Sequence, residues 1–426
     1  MPFRQKLDSA LSTLETLVKL AVERLETGVV FNPLRPALRV DPHPFYRELR
    51  EKDPFHRSRP ADGWVLTRYA DILEVLGDRT FSADERNLRR WKRIRARHAR
   101  AGLPDPYESE RASMLRLDPP DHTRLRNLVS KAFTPRAVER MRPVIEKYVE
   151  ELLGRLAGRS EMELIGDFAA PLPVSVIAEM LGVPVADRER FRRWSDEAVR
   201  TLGDNTLEDR RRALAAMDEL GAYLEVIAEE RRREPREDLL SALVRAEEAG
   251  DRLSRVELFT TCVLLLVAGN ETTTKLIGNS MLALLRNPEQ LDLLRSEPER
   301  VPAALEELLR FDGPVQLTSR MVTEDRELLG HRLHRGQQLV LVLAAGNRDP
   351  EQFAEPDRLD VTRADVRHLA FSHGLHFCLG AQLARLEGTL ALEALVTRFP
   401  RLRVAGPVVW GDNTVLRGPR SVPLAF

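Results

Sequence analysis

Cys378 stands in Phe371-Ser372-His373-Gly374-Leu375-His376-Phe377-Cys378-Leu379-Gly380, immediately before an apolar helix pattern. A thiolate in such a loop can ligate a metal. Gly374 and Gly380 allow the backbone to lie against a flat bound group, and amide N–H groups at a helix start stabilise the sulfur's charge. Cys262, inside Thr260-Thr261-Cys262-Val263-Leu264-Leu265-Leu266, reads instead as a small buried hydrophobe. A second constellation, Ala268-Gly269-Asn270-Glu271-Thr272-Thr273, interrupts an apolar helix pattern that runs from about Ser254 to Leu285. Glycine and threonine at a helix midpoint permit local opening of the hydrogen-bond ladder, and an acid beside an alcohol offers protons a two-membered route into a dry pocket. Two charge patterns complete the set. Glu307 and Arg310 lie three apart on one face of an apolar helix, where most such pairs are surface bridges worth ~0.5 kcal/mol or less. In Asp118-Pro119-Pro120-Asp121-His122-Thr123-Arg124-Leu125-Arg126, His122 and Arg126 share a helical face while Arg124 points away, toward the surface.

The elements that must position these residues are mostly helices. Leu7, Leu11, Leu14, Val18, Ala21 and Leu25 alternate spacings of four and three, which predicts an amphipathic helix ending at Gly28 with its apolar seam packed on its own domain. Pairing with a second copy or resting on a membrane surface are the other uses of such a seam. Short strands are expected at Phe55-His56-Arg57 and Trp64-Val65-Leu66-Thr67, followed by helix patterns punctuated by Pro and Gly. From about Leu317 the pattern turns β-branched and alternating, as in Gln338-Leu339-Val340-Leu341-Val342. It becomes irregular from Asn347 to Thr362, returns to helix after Gly380 and closes in short strands from Leu402 to Phe426. The reading is a mainly α protein with a smaller β portion.

Composition sets the outer bounds. Lys+Arg 66 against Asp+Glu 66 gives a net charge of +0, so no global field draws the 426-residue chain to nucleic acid or to a membrane. Two cysteines exclude a disulfide framework and suit a reducing cytoplasm. The apolar run around Cys262 breaks at Gly269-Asn270-Glu271, short of the ~20 residues of a bilayer span. Charges recur from Phe3 to Glu26, unlike a signal peptide, and a cytoplasmic protein is expected.

Together the motifs resemble those of the cytochrome P450 superfamily, in its soluble bacterial form. The cysteine loop matches Phe-x-x-Gly-x-His-x-Cys-x-Gly at every fixed position, and Ala268 to Thr272 is similar to the oxygen-activating Ala-Gly-x-Asp/Glu-Thr string. Ten residues in register outweigh the structural reading of a lone cysteine. The resemblance covers about residues 41–426 as a catalytic domain and leaves residues 1–40 as an N-terminal helical extension. It implies the P450 fold, with haem b between the long oxygen-binding helix and the helix after the cysteine loop. Cys378 would be the axial thiolate, whose charge pushes electron density through iron onto dioxygen and favours O–O cleavage. Gly269, Phe371 and Gly380 would lie at the haem, and Glu271 and Thr272 would deliver protons. His122, Arg126, Arg320 and His376 are implied as propionate partners. Glu307, Arg310 and Arg358, the last in Pro356-Asp357-Arg358, are implied as a buried structural triad, with Glu306 excluded by its spacing to Arg310. Leu265, Leu266, Ala268, Val315, Gln316 and Leu317 are the candidates to line an apolar substrate pocket.

The activity so implied is insertion of one oxygen atom from O2 into a mainly apolar organic substrate. Electrons would come from a separate ferredoxin and ferredoxin reductase, or a flavodoxin-type donor, received near Lys131, Arg124 and Arg385. A peroxide-driven peroxygenase and a non-catalytic haem carrier or sensor are the rivals, and the intact Glu271–Thr272 pair speaks against both. Arg86, Arg89, Arg90, Lys92, Arg93, Arg95, Arg97 and Arg100 crowd one segment. That segment reads first as a solvated helix face and second as a site for an anionic substrate or an acidic carrier protein.

Overall fold

The computed structural model describes residues 16–32, 35–105, 113–198, 207–248 and 254–426. Leu7, Leu11 and Leu14 of the expected N-terminal seam lie outside them. Residues 16–27 form helix α1, but its orientation reverses the expectation. Val18 and Leu25 of the seam are 55% and 87% exposed, whereas Glu23 is fully buried. Glu23 accepts the backbone N–H of Phe31 at 2.8 Å and of Arg59 at 2.9 Å, and its Oε1 lies 2.8 Å from His56 Nε2. Asp53 holds the other ring nitrogen at 2.8 Å. A buried donor left unpaired costs about 1–3 kcal/mol, so satisfying three of them with one carboxylate outweighs burying a narrow apolar stripe.

His56 belongs to strand β1 (Phe55–Ser58), which pairs antiparallel with β2 (Gly63–Leu66). Beyond these lie the helices α2 (Trp91–Arg100), α3 (Asp121–Ser130), α4 (Pro171–Leu181), α5 (Arg188–Ala198), α6 (Arg255–Arg286) and α7 (Val301–Asp312). Strands β3 (Thr318–Met321) and β4 (Gln338–Leu341) then complete a four-stranded sheet of order β1-β2-β4-β3, with β2 and β4 parallel. A Cβ at Gly63 would sit 1.8 Å from the Gln338 carbonyl oxygen, so this close parallel pairing requires glycine. Helix α8 (Ala381–Arg398) follows the cysteine loop.

The main apolar core joins α4, α6, α7 and α8, and α6 is buried along most of its 32 residues. Its start is fixed by a reciprocal capping box, in which Ser254 accepts from the Glu257 amide and Glu257 from the Ser254 amide. Among the described residues the segment apolar enough to span a membrane is not the one around Cys262 but Leu164–Leu181, with mean hydropathy 1.5. It is core: 72% of it is buried inside the fold.

Candidate active site

The cysteine loop folds back on itself where the Cys378 amide donates to the Phe371 carbonyl at 2.9 Å. Gly374 makes this possible. Its φ is +68°, and a Cβ there would come within 2.3 Å of the Leu76 carbonyl oxygen. Gly380 is not required by the fold: its φ of −85° suits any residue, and the space where a Cβ would stand is open. Cys378 lies three residues before α8, with the Gly380 amide on its sulfur. Burial pushes its thiol up, while that amide, Arg126 and Arg385 pull the other way. Phe371 is buried beneath the Arg385 guanidinium, 4.6 Å from the ring centre. Phe377 is partly exposed.

Around this loop gather the four cationic or imidazole side chains expected there. The His122 and His376 rings lie 4.3 Å apart, and Arg126 Nη2 donates to the Phe377 carbonyl at 2.7 Å. Burial pushes His376 down to about 3, reinforced by Arg320, His122 and Arg126. His122 is lowered by burial and then by Arg126, and burial brings Arg320 down to about 10. Both ring nitrogens of His122 are buried without a hydrogen-bond partner. Asp118, the carboxylate whose charge acts on His122 and Arg320, is occupied by Ser82 and by the Ala83 amide. Such a donor set, with its positive charge held against desolvation, fits a ligand carrying two carboxylates. A flat group beside Cys378 with two propionates has that chemistry.

The middle of α6 carries the second constellation. Ala268 is exposed between buried Val267 and half-buried Gly269, and a Cβ at Gly269 would meet nothing within 4 Å. Thr272 Oγ1 donates to the Ala268 carbonyl at 2.6 Å, and Glu271 forms an ion pair with Lys275. Of the expected lining, Leu266 and Gln316 turn into the protein. Leu266 is wholly buried among the helices, and Gln316 donates to the Gly313 carbonyl at 2.9 Å. Leu265 is buried as well, Val315 packs on the cluster around the sheet, and Leu317 packs beside Val29 and Tyr46.

Behind the loop, Glu307 and Arg310 form a wholly buried two-point ion pair at 2.6 and 2.8 Å. The third member differs from expectation. Arg358 is exposed and pairs with Glu355 at 3.1 Å; only its backbone carbonyl meets Arg310, at 3.2 Å. Arg363 takes its place, with Nε 3.2 Å from Glu307. In an irregular segment the path of the backbone, not distance along the sequence, decides which arginine reaches inward. Glu306 has a separate role: Arg385 grips both its oxygens, at 2.7 and 2.8 Å, and His368 adds a third contact at 3.2 Å. Burial would raise the Glu306 carboxyl, yet these partners hold it at about 2. Arg124 is likewise engaged with Glu257 and is not a free surface cation.

A family model described as Cytochrome P450 matches residues 196–404. Over 396 residues the chain is 43% identical to cytochrome P450 107B1 of Saccharopolyspora erythraea, covering 90% of this chain and 95% of that one. The chain belongs to the cytochrome P450 family. It is also 42% identical to the vitamin D(3) 25-hydroxylase of Pseudonocardia autotrophica, over 91% of this chain and 94% of the other. Among solved structures it resembles P450BioI in complex with hexadec-9Z-enoic acid ligated acyl carrier protein. That match has TM-score 0.82 and 36% identity, over 92% of this chain and 99% of that one. Membership makes the chain a haem b monooxygenase of the P450 fold, its cofactor held by a cysteine thiolate. Cys262 is a poor candidate for that bond, since it is wholly buried in α6 with its thiol pushed up to about 12 by burial.

Proposed function

We propose that Cys378 is the thiolate ligand and that the chain inserts one oxygen atom of O2 into a mainly apolar organic substrate, using electrons from a separate ferredoxin and reductase or a flavodoxin-type donor. The observation that carries this reading is the gathering of His122, His376, Arg126 and Arg320 around the Cys378 loop, with His122 unpartnered. These four would hold the propionates, and Gly380 and Gly269 leave room for the macrocycle. Bound haem supplies the oxygen-activating iron. The protein's part is to fix that group and manage protons. Thr272 keeps its hydroxyl at the open middle of α6, and Glu271, next to it, is the acid that resupplies it. Glu307, Arg310 and Arg363 brace the chain behind the loop. Residues 1–40 serve as an extension to a catalytic domain spanning 41–426, in a cytoplasmic setting.

The carbon monoxide complex of the reduced protein tests this reading. It should show the red-shifted Soret band of a thiolate-bound haem, and Cys378→Ser should abolish that band. An unchanged spectrum in the variant would refute the ligand assignment. NADH consumption with surrogate redox partners, coupled to product, separates a monooxygenase from a peroxide-driven enzyme or a silent carrier.

A carrier-borne substrate is a second reading favoured by one observation. Arg93, Arg97 and Arg100 form an exposed stripe at i, i+4 and i+7 on α2, a helix with no buried residue. Its neighbours differ, since Arg95 pairs with Asp105 and Arg89 with Asp62. Charge reversal of Arg93 and Arg97 should weaken binding of an acyl carrier protein in a salt-dependent way while leaving free fatty acid binding unchanged.

A further inference from the structure

Glu271 and Thr272 are adjacent in sequence, yet each is engaged elsewhere. The threonine hydroxyl donates to Ala268, and the glutamate lies against Lys275, one turn along α6. Lys275 is an unusual partner because it is nearly wholly buried, at 3% exposure, in the interior of a helix. Its ammonium donates to the Leu416 carbonyl at 2.9 Å, and its stem lies against Gly418, where a Cβ would come within 2.5 Å of Lys275 Cγ. The lysine is thus clamped, while Glu271, a quarter exposed, is the half of the pair with access to solvent. On the side of α5 lies Asp196, which burial pushes up to about 6, with Glu271 adding to the rise and Arg192 opposing it. Helices α5 and α6 are bolted together beside it by Asn270, whose Nδ2 donates to Ser195 Oγ at 2.7 Å.

We propose that Lys275 is a positioning residue that restrains Glu271, holding the acid away from Thr272 so that proton transfer waits on the opening of the Glu271–Lys275 pair. This rests on the assignment of Glu271 and Thr272 to proton delivery. When the pair opens, the Glu271 carboxylate takes up a proton from the solvent side, past Asp196, and gives it to the Thr272 oxygen as the threonine passes its own into the pocket. Having given up that proton, the carboxylate returns to Lys275 and the ion pair re-forms. An acid without its restraint would deliver protons early, before substrate oxidation can use them.

The test uses the haem-loaded protein with NADH and a surrogate ferredoxin and reductase, without organic substrate, in H2O and in D2O. Lys275→Met, close in volume, should raise hydrogen peroxide released per NADH severalfold and bring the solvent isotope effect toward one. Lys275→Arg, which keeps the charge, should restore part of the parent behaviour. Melting temperatures give a readout independent of turnover. Glu271→Gln should lower the melting temperature by several degrees, because it strands a buried ammonium, and adding Lys275→Met should recover most of the loss. Additive effects on melting, or a Lys275→Met protein with the parent's peroxide yield and isotope effect, would overturn the proposal. Either failure is distinct from failure of the functional reading, which would appear as a missing thiolate spectrum in the parent protein.

Discussion

Glu307 behind the cysteine loop and Glu23 in the N-terminal helix are both wholly buried carboxylates that hold a remote piece of chain in place. They differ in the cation used. Glu307 faces two arginines and accepts the Asp360 amide at 3.1 Å, while Arg310 reaches on to the carbonyls of Asn347, Pro356 and Arg358. Glu23 faces a histidine. Arginine keeps its charge across the accessible pH range, whereas histidine surrenders it near neutrality. The brace at the cofactor is therefore indifferent to pH, and the strap on the extension is not. Burial would push the His56 ring down, but hydrogen bonds to Asp53 and Glu23 overcome it and raise the ring to about 8.

The largest expected effect is at Glu307. Glu307→Gln leaves Arg310 buried against a neutral partner and should cost about 3–5 kcal/mol, with loss of the thiolate haem spectrum. The loss should be the same at pH 6 and pH 9 in thermal melts. Next comes a contrast that separates the two candidate third members. Arg363→Ala should destabilise by roughly 1–2 kcal/mol in chemical denaturation, whereas Arg358→Ala should leave the midpoint unchanged. Glu23→Ala should cost a similar roughly 1–3 kcal/mol and leave the haem spectrum intact, since the strap lies away from the cofactor. The smallest effect carries the pH signature. A raised folded-state value means that the His56 contribution is complete below about 6.5 and fades as pH climbs through about 8. The stability gap between the parent and His56→Gln, on the order of 1–2 kcal/mol, should therefore be widest at pH 6 and close by pH 9.

These two regions also mark where the sequence could be read. That Glu307 and Arg310 meet was legible because a helix fixes what three residues of separation mean, whereas the burial of the pair was implied only by the family resemblance. Likewise α6 was expected from about Ser254 to Leu285 and spans Arg255–Arg286. Arg363 was missed because no periodicity governs the irregular stretch that delivers it. In α1 the apolar spacing was read correctly as a helix, but its inward face was misjudged. Hydrophobic periodicity carries no signal for a carboxylate that satisfies backbone donors at Phe31 and Arg59. Gln316 and Leu266 were assigned to the pocket by proximity in sequence, and the structure turns both into the core.

Arg124 and Arg385, two of the three cations expected to greet an acidic electron donor, are each committed to a glutamate of the same chain. Their charge is thus largely cancelled at the surface before any visitor arrives. First-electron transfer should then slow little as ionic strength rises, and the choice among donor proteins should rest on the fit of close surfaces more than on long-range attraction.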